Sequence, residues 1–170
     1  IQKRHTMNRR FFLTLAALGL SLAQTVASPA FADEVILTVN DLRSGQTKTF
    51  TEADLLALPQ QSFETTTIWT DTTPKTFSGP SLMAVLDAAG SAPGTLRVYA
   101  INDYNVTFPE ARLEENVPIL AARIDDAAFS VREKGPLWLV FPYDSDTRYQ
   151  SEEYFTLSVW QLNKIDILAE

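Results

Sequence analysis

One loop concentrates side chains able to do chemistry. Y-D-S-D-T-R-Y, residues 143–149, sets two carboxylates, two hydroxyls and Arg148 between flanking tyrosines. Asp144 and Asp146 have the spacing of the first ligands of a calcium loop, but the glycine and the closing glutamate of an EF-hand loop are missing at their offsets. The segment therefore reads either as a polar recognition loop or as a solvated connection. Glu114-Glu115 and Asp125-Asp126 supply further carboxylates. Adjacent residues need not face one another, so neither pair has the geometry of an acid-base couple. Trp138 and Trp160 read first as core, although Tyr154 near Trp160 offers the start of an exposed aromatic patch.

The residues that are missing limit the chemistry further. The only histidine is His5, and there is no cysteine. Beyond His5 the chain has no side chain for disulfides, thiolate catalysis, His or Cys haem ligation, iron-sulfur clusters or an ordinary zinc site. A Ser-His-Asp or Cys-His arrangement cannot be assembled. A carboxylate-held hard cation, or a Lys, Asp or Glu base, stays within reach.

The first 32 residues carry an address. From Met7 the chain reads M-N-R-R-F-F-L-T-L-A-A-L-G-L-S-L-A, a basic pair followed by an apolar run over residues 11–23. Ala30 and Ala32 hold the small-residue positions before Asp33, as in a secretory signal. The apolar run is short for a spanning helix, which needs about 20 residues. N-R-R-F-F-L also resembles a twin-arginine signal, so both that route and the general secretory route are open. Residues 1–32 are expected to be an N-terminal extension and signal peptide, residues 33–170 a single periplasmic or secreted domain. That domain has 21 acidic residues against ten basic ones, a net charge of −11. Such a field argues against nucleic acid as a partner, and no membrane insertion is expected after cleavage.

The elements that must position these residues follow from hydrophobic period and punctuation. E-V-I-L-T-V-N (34–40) reads as a strand and R-S-G-Q-T-K (43–48) as a turn. A short helix is expected within 49–58, capped by Thr51 with Asp54 three residues on, and burying Leu55, Leu56 and Leu58. Residues 61–70 read as a threonine-rich strand and 71–75 as a turn. The clearest helix, about nine residues long, falls within 77–90; Ser81 caps it, Leu82, Val85, Leu86 and Ala89 recur at helical spacing, and Gly90 closes it. Strands are expected over 95–101, 105–108, 119–125 and 135–142, with a turn at 102–104 and a helical turn after Pro109. Residues 154–168 begin as strand or helix and end as a strand alternating around Ile165 and Ile167. The fold class is α+β, a mixed β-sheet domain with short crossing helices.

The order of these signals resembles a known family. W-T-D, then F-S-G-P-S-L-M-A-V-L-D-A-A-G, then V-Y-A-I-N-D-Y, then G-P-L-W-L-V-F-P-Y is similar to the oxidoreductase molybdopterin-binding domain, the catalytic-domain fold of sulfite oxidases and their exported bacterial relatives. Gly79, Leu82, Leu86, Gly90, Ala100, Asp103, Tyr104, Gly135, Pro136, Leu137, Leu139, Val140 and Pro142 fall in step with its pattern. The resemblance spans residues 35–168 and implies a molybdopterin pocket approached by Thr65, Thr66, Thr67, Trp69, Asp103, Tyr104 and the loop holding Asp144 and Arg148. In that pocket Trp69 is placed to stack on a planar ligand and Asp103 to accept hydrogen bonds.

Three departures qualify what is implied. The family ligates molybdenum through a cysteine thiolate near this tryptophan, whereas E-T-T-T-I-W-T offers only threonine hydroxyls, too hard and too weakly acidic to replace it. Asp103 is followed by Tyr104, where the pattern has glycine before Tyr, and Trp138 stands where it often has arginine. The expectation is a non-catalytic binding module on a molybdopterin-oxidoreductase scaffold, holding a small ligand or an envelope protein partner, with no cofactor and no catalytic residue. The alternative is an oxidoreductase or redox accessory that retains a pterin without cysteine ligation.

Overall fold

The computed structural model describes residues 34–169; the export signal expected over residues 1–32 and its cleavage point lie outside them. The described residues form an α+β domain, mostly β-sheet with a few short helices. A five-stranded sheet has the order β2-β1-β10-β5-β6, built from β1 (Val35–Asp41), β2 (Gln46–Thr51), β5 (Leu96–Ala100), β6 (Asn105–Phe108) and β10 (Leu162–Ile167). Only β1 and β10 run parallel, with Val39 opposite Ile165. Three strands, β3 (Gln60–Thr65), β4 (Lys75–Pro80) and β8 (Arg123–Ile124), make a second sheet, while β7 (Ile119–Ala121) and β9 (Trp138–Val140) make a third. Helices α1 (Glu52–Leu56), α2 (Leu82–Ala88) and α3 (Glu152–Leu157) cross between them. Among the described residues no helix is long and apolar enough to cross a membrane.

Both expected helix caps form. The Thr51 hydroxyl accepts from the Asp54 N–H at 3.1 Å, and the Asp54 carboxylate accepts from the Thr51 N–H at 2.9 Å, a reciprocal capping box. Ser81 accepts from the Ala84 N–H at 3.1 Å and starts α2, whose Leu82, Val85 and Leu86 are buried.

Several boundaries differ from the sequence reading, each for a tertiary reason. Most of the 43–48 turn is instead β2, because that segment pairs antiparallel with β1 from Gln46 to Thr51, and α1 starts directly after it at Glu52, as the Thr51 cap implied. Only Leu55 of the three expected leucines is buried in α1; Leu56 is 37% exposed. The helix within 77–90 starts at Leu82, as its Ser81 cap implied, and the residues ahead of it, Lys75–Pro80, are β4, which pairs with β3. The 61–70 strand stops at Thr65, where the Thr67 hydroxyl turns the chain by accepting the N–H groups of Trp69 and Thr70 at 3.3 and 3.0 Å. The 119–125 strand divides: Ile119–Ala121 pairs with β9, and Arg123–Ile124 with β4.

One ion pair fastens the sheet edge. Asp41 is almost fully buried and accepts from Arg43 Nε at 3.0 Å, Arg43 Nη2 at 2.8 Å and the Arg43 N–H at 2.9 Å. Arg43 also donates to the Ala92 and Pro93 carbonyls at 2.7 and 3.1 Å, tying the end of β1 to the loop before β5. The Arg43 hydrogen bonds hold the Asp41 carboxyl far below the usual carboxylate range. A depressed pKa stabilises the fold above the unfolded value of about 3.9 and loses that contribution as pH falls through the folded value. Asp41→Asn is thus expected to lower the urea midpoint at pH 7 and to converge with the parent protein as pH drops below about 4. A gap that stayed constant down to pH 2 would show that the carboxylate charge is not what matters.

Candidate functional site

The sheets meet around a knot of aromatic rings, and a cleft opens on one side of it. Trp138 of β9 is fully buried, donates from Nε1 to the Ser158 carbonyl at 3.3 Å, and meets Phe77 edge-on at 5.5 Å. Its register beside Trp160 is set by backbone bonds from Leu139 N to Val159 O at 2.9 Å and from Leu162 N to Leu137 O at 3.0 Å. The Ile101 N–H donates to the Gln161 carbonyl at 3.0 Å, which brings the β5–β6 hairpin alongside the same segment.

The cleft has a volume of about 690 Å³, within the range of small-molecule sites. Ile68 and Trp69 from the turn after β3 form one wall, and Ala100, Asn102 and Tyr104 from the hairpin another. Helix α3 supplies Glu152, Phe155 and Thr156, whose i, i+3, i+4 spacing puts them on one face while Tyr154 and Leu157 face the core. Ser158, Val159 and Trp160 complete the lining. Trp69 is half-buried and packs edge-to-face on four rings, Trp138, Tyr143, Phe155 and Trp160, at centroid distances of 5.9, 6.2, 5.6 and 5.6 Å. Ile68 (63%), Tyr104 (53%) and Trp160 (38%) stay unusually exposed for their types.

Beneath the lining lies a closed hydrogen-bond chain. The Ser158 hydroxyl donates to the Tyr154 carbonyl at 2.7 Å and therefore accepts from the Tyr143 hydroxyl at 2.6 Å. Burial pushes the Tyr143 phenol well above its ordinary range, so it stays protonated and acts as a strut rather than a base.

The expected site residues separate into four groups. Trp69 and Tyr104 line the cleft, and Asp103 sits on the exposed hairpin turn beside it with φ of 65°, in the left-handed region that favours glycine. Thr65, Thr66 and Asp144 form a clamp: the Asp144 N–H donates to the Thr65 hydroxyl at 3.1 Å, and the Thr66 N–H and hydroxyl both donate to the Asp144 carboxylate, at 2.6 and 2.8 Å. Thr67 is buried in its own turn. Arg148 belongs to another cluster, paired with Glu114 at 3.0 Å, near Asp146 at 3.5 Å, and lying over the Tyr149 ring at 4.5 Å.

Trp138 is core, as the apolar strand around it implied, whereas Trp160 is a wall of the cleft rather than core. Ile68, Asn102, Glu152, Phe155 and Thr156 were not legible as lining. A helical reading of residues 152–157 would have put three of them on one face. No family model matches this chain, and no curated protein matches it significantly.

Proposed function

We propose that this is an exported, non-catalytic binding module, related in fold to the molybdopterin-binding domain of sulfite oxidases, that holds a small ligand in the aromatic cleft. One observation carries the reading. A cleft of about 690 Å³ keeps Trp69, Tyr104 and Trp160 available to a ligand, while the hydroxyls and the Asp144 carboxylate beneath and beside it are spent on internal bonds. Thr65, Thr66 and Asp144 hold one another, and Ser158 is committed to Tyr143 and Tyr154. Such an arrangement buries an apolar body and has no nucleophile-base pair to act on it.

The donor set does not fit a molybdenum pterin. A soft metal centre of the family type requires a thiolate, and the chain has no cysteine. Lys and Arg are common partners of a phosphate-bearing cofactor, and among the described residues neither lines the cleft. Arg148 is engaged with Glu114 and Asp146.

Native mass spectrometry with molybdenum analysis, on protein recovered from its own host after export, tests this. The expected result is a chain beginning at Asp33 that retains a molybdenum-free small mass, absent in the Trp160→Ala variant. Stoichiometric molybdenum pterin would overturn the proposal.

A further inference from the structure

We propose that the cleft selects organic cations, binding a quaternary or protonated ammonium against its aromatic walls with Glu152 as the counter-charge. This rests on the reading of the cleft as a ligand site and adds the chemical class of its occupant.

The first support is ring geometry. Trp69 stands at 66° to Trp160 and at 86° to Phe155, with centroids 5.6 Å away in both cases. Parallel rings would form a slot for a flat ligand. Rings at these angles instead present faces and edges from several directions, the corner of a box that suits a rounded group. Aromatic faces carry negative potential, so a box of them attracts an ammonium whose charge is spread over methyl or methylene groups.

Charge gives the second support. Among the described residues Glu152 is the only charged one in the lining, and its carboxylate makes no hydrogen bond or ion pair with the others. Its neighbour Glu153, by contrast, is neutralised by Arg112 at 2.7 Å. An unpaired carboxylate beside aromatic rings repels anions and offers a cation a partner. The acidic domain around it adds a field of the same sign.

The aromatic knot also holds one ammonium already. Lys134 Nζ lies 5.5 Å from the Trp160 ring centroid and 5.9 Å from that of Trp138, although Lys134 is not among the residues lining the cleft. The indoles can thus hold an ammonium, and because Lys134 repels a second cation, the ligand's ammonium must sit on the cleft side, toward Glu152 and away from Lys134.

The test compares choline with 3,3-dimethylbutan-1-ol, which has the same shape with carbon in place of the charged nitrogen, by tryptophan fluorescence titration of the exported domain. Choline is expected to bind about tenfold more tightly than the alcohol. Glu152→Gln is expected to weaken choline roughly threefold and leave the alcohol unchanged, and Trp160→Ala to weaken both. Equal or tighter binding of the alcohol would overturn the cation preference; if that binding still depends on Trp160, the cleft survives as a ligand site. Failure of both probes would also overturn the preference, and the retained mass sought by native mass spectrometry then decides separately whether the cleft binds anything.

Discussion

Replacing Gly79 with alanine is expected to cost the domain about 3 kcal/mol, the upper end of what overpacking does to a core. Gly79 is buried in β4, where a Cβ would fall on the Leu120 carbonyl and lie 3.0 Å from the Ala121 Cα. Both obstacles are backbone of β7. They cannot swing aside as a side-chain tip would, so either β4 or β7 must shift and loosen the β7–β9 ladder. Gly135 presents the same problem against the Phe129 carbonyl and ring, and its alanine variant should lose a similar amount. Gly45 is the useful comparison. Its φ is +74°, but nothing lies within 4 Å of an added Cβ, so alanine there should cost only about 1 kcal/mol of backbone strain. Urea unfolding of the three variants distinguishes close approach from backbone conformation. If Gly79→Ala lost no more than Gly45→Ala, the packing of β4 on β7 would not be what requires glycine.

Trp138→Ala is expected to destabilise the domain by about 3–5 kcal/mol, much of the 5–15 kcal/mol that holds a typical domain folded. The indole is fully buried, donates a hydrogen bond, and meets Phe77, Trp69 and Trp160 edge-on. Its removal leaves a large void and withdraws the support behind the cleft. Trp160→Ala makes the instructive pair. Trp160 meets Trp69 and Trp138 but is 38% exposed, and its loss should cost about 1 kcal/mol of stability. Near-UV circular dichroism and unfolding should then show Trp138→Ala failing in both fold and binding, and Trp160→Ala in binding alone. Equal stability losses would mean that Trp160 belongs to the core and that the cleft is not separable from it.

These two tryptophans also show how far local signals reach. Trp138 sits in L-W-L-V-F, a run apolar on both faces, and its neighbours in sequence are enough to announce burial. Trp160 follows V and precedes Q-L-N-K, a pattern compatible with either side of the surface. Its exposure is decided by Gln161, whose left-handed backbone (φ 53°) and bond to Ile101 aim this short connection past the hairpin.

The sequence by itself determined the features that depend on residues within a few positions of one another. The caps at Thr51 and Ser81 and the buried face of α2 follow from spacing alone, because a helix brings i, i+3 and i+4 together wherever it lies. The loss of thiolate and imidazole chemistry beyond His5 follows from composition, since no fold can supply an absent functional group. Tertiary structure decided what depends on pairing across long separations. β2 and β4 are strands because β1 and β3 offer them partners, and Ile119–Ala121 parts from Arg123–Ile124 because two sheets compete for one segment. The cleft belongs wholly to this second kind. Trp69, Tyr104 and the stretch holding Phe155 and Trp160 are three separate segments, and nothing local to one of them records the other two. The buried Trp138, packed on Phe77, Trp69 and Trp160, anchors the junction of the sheets around which these walls assemble.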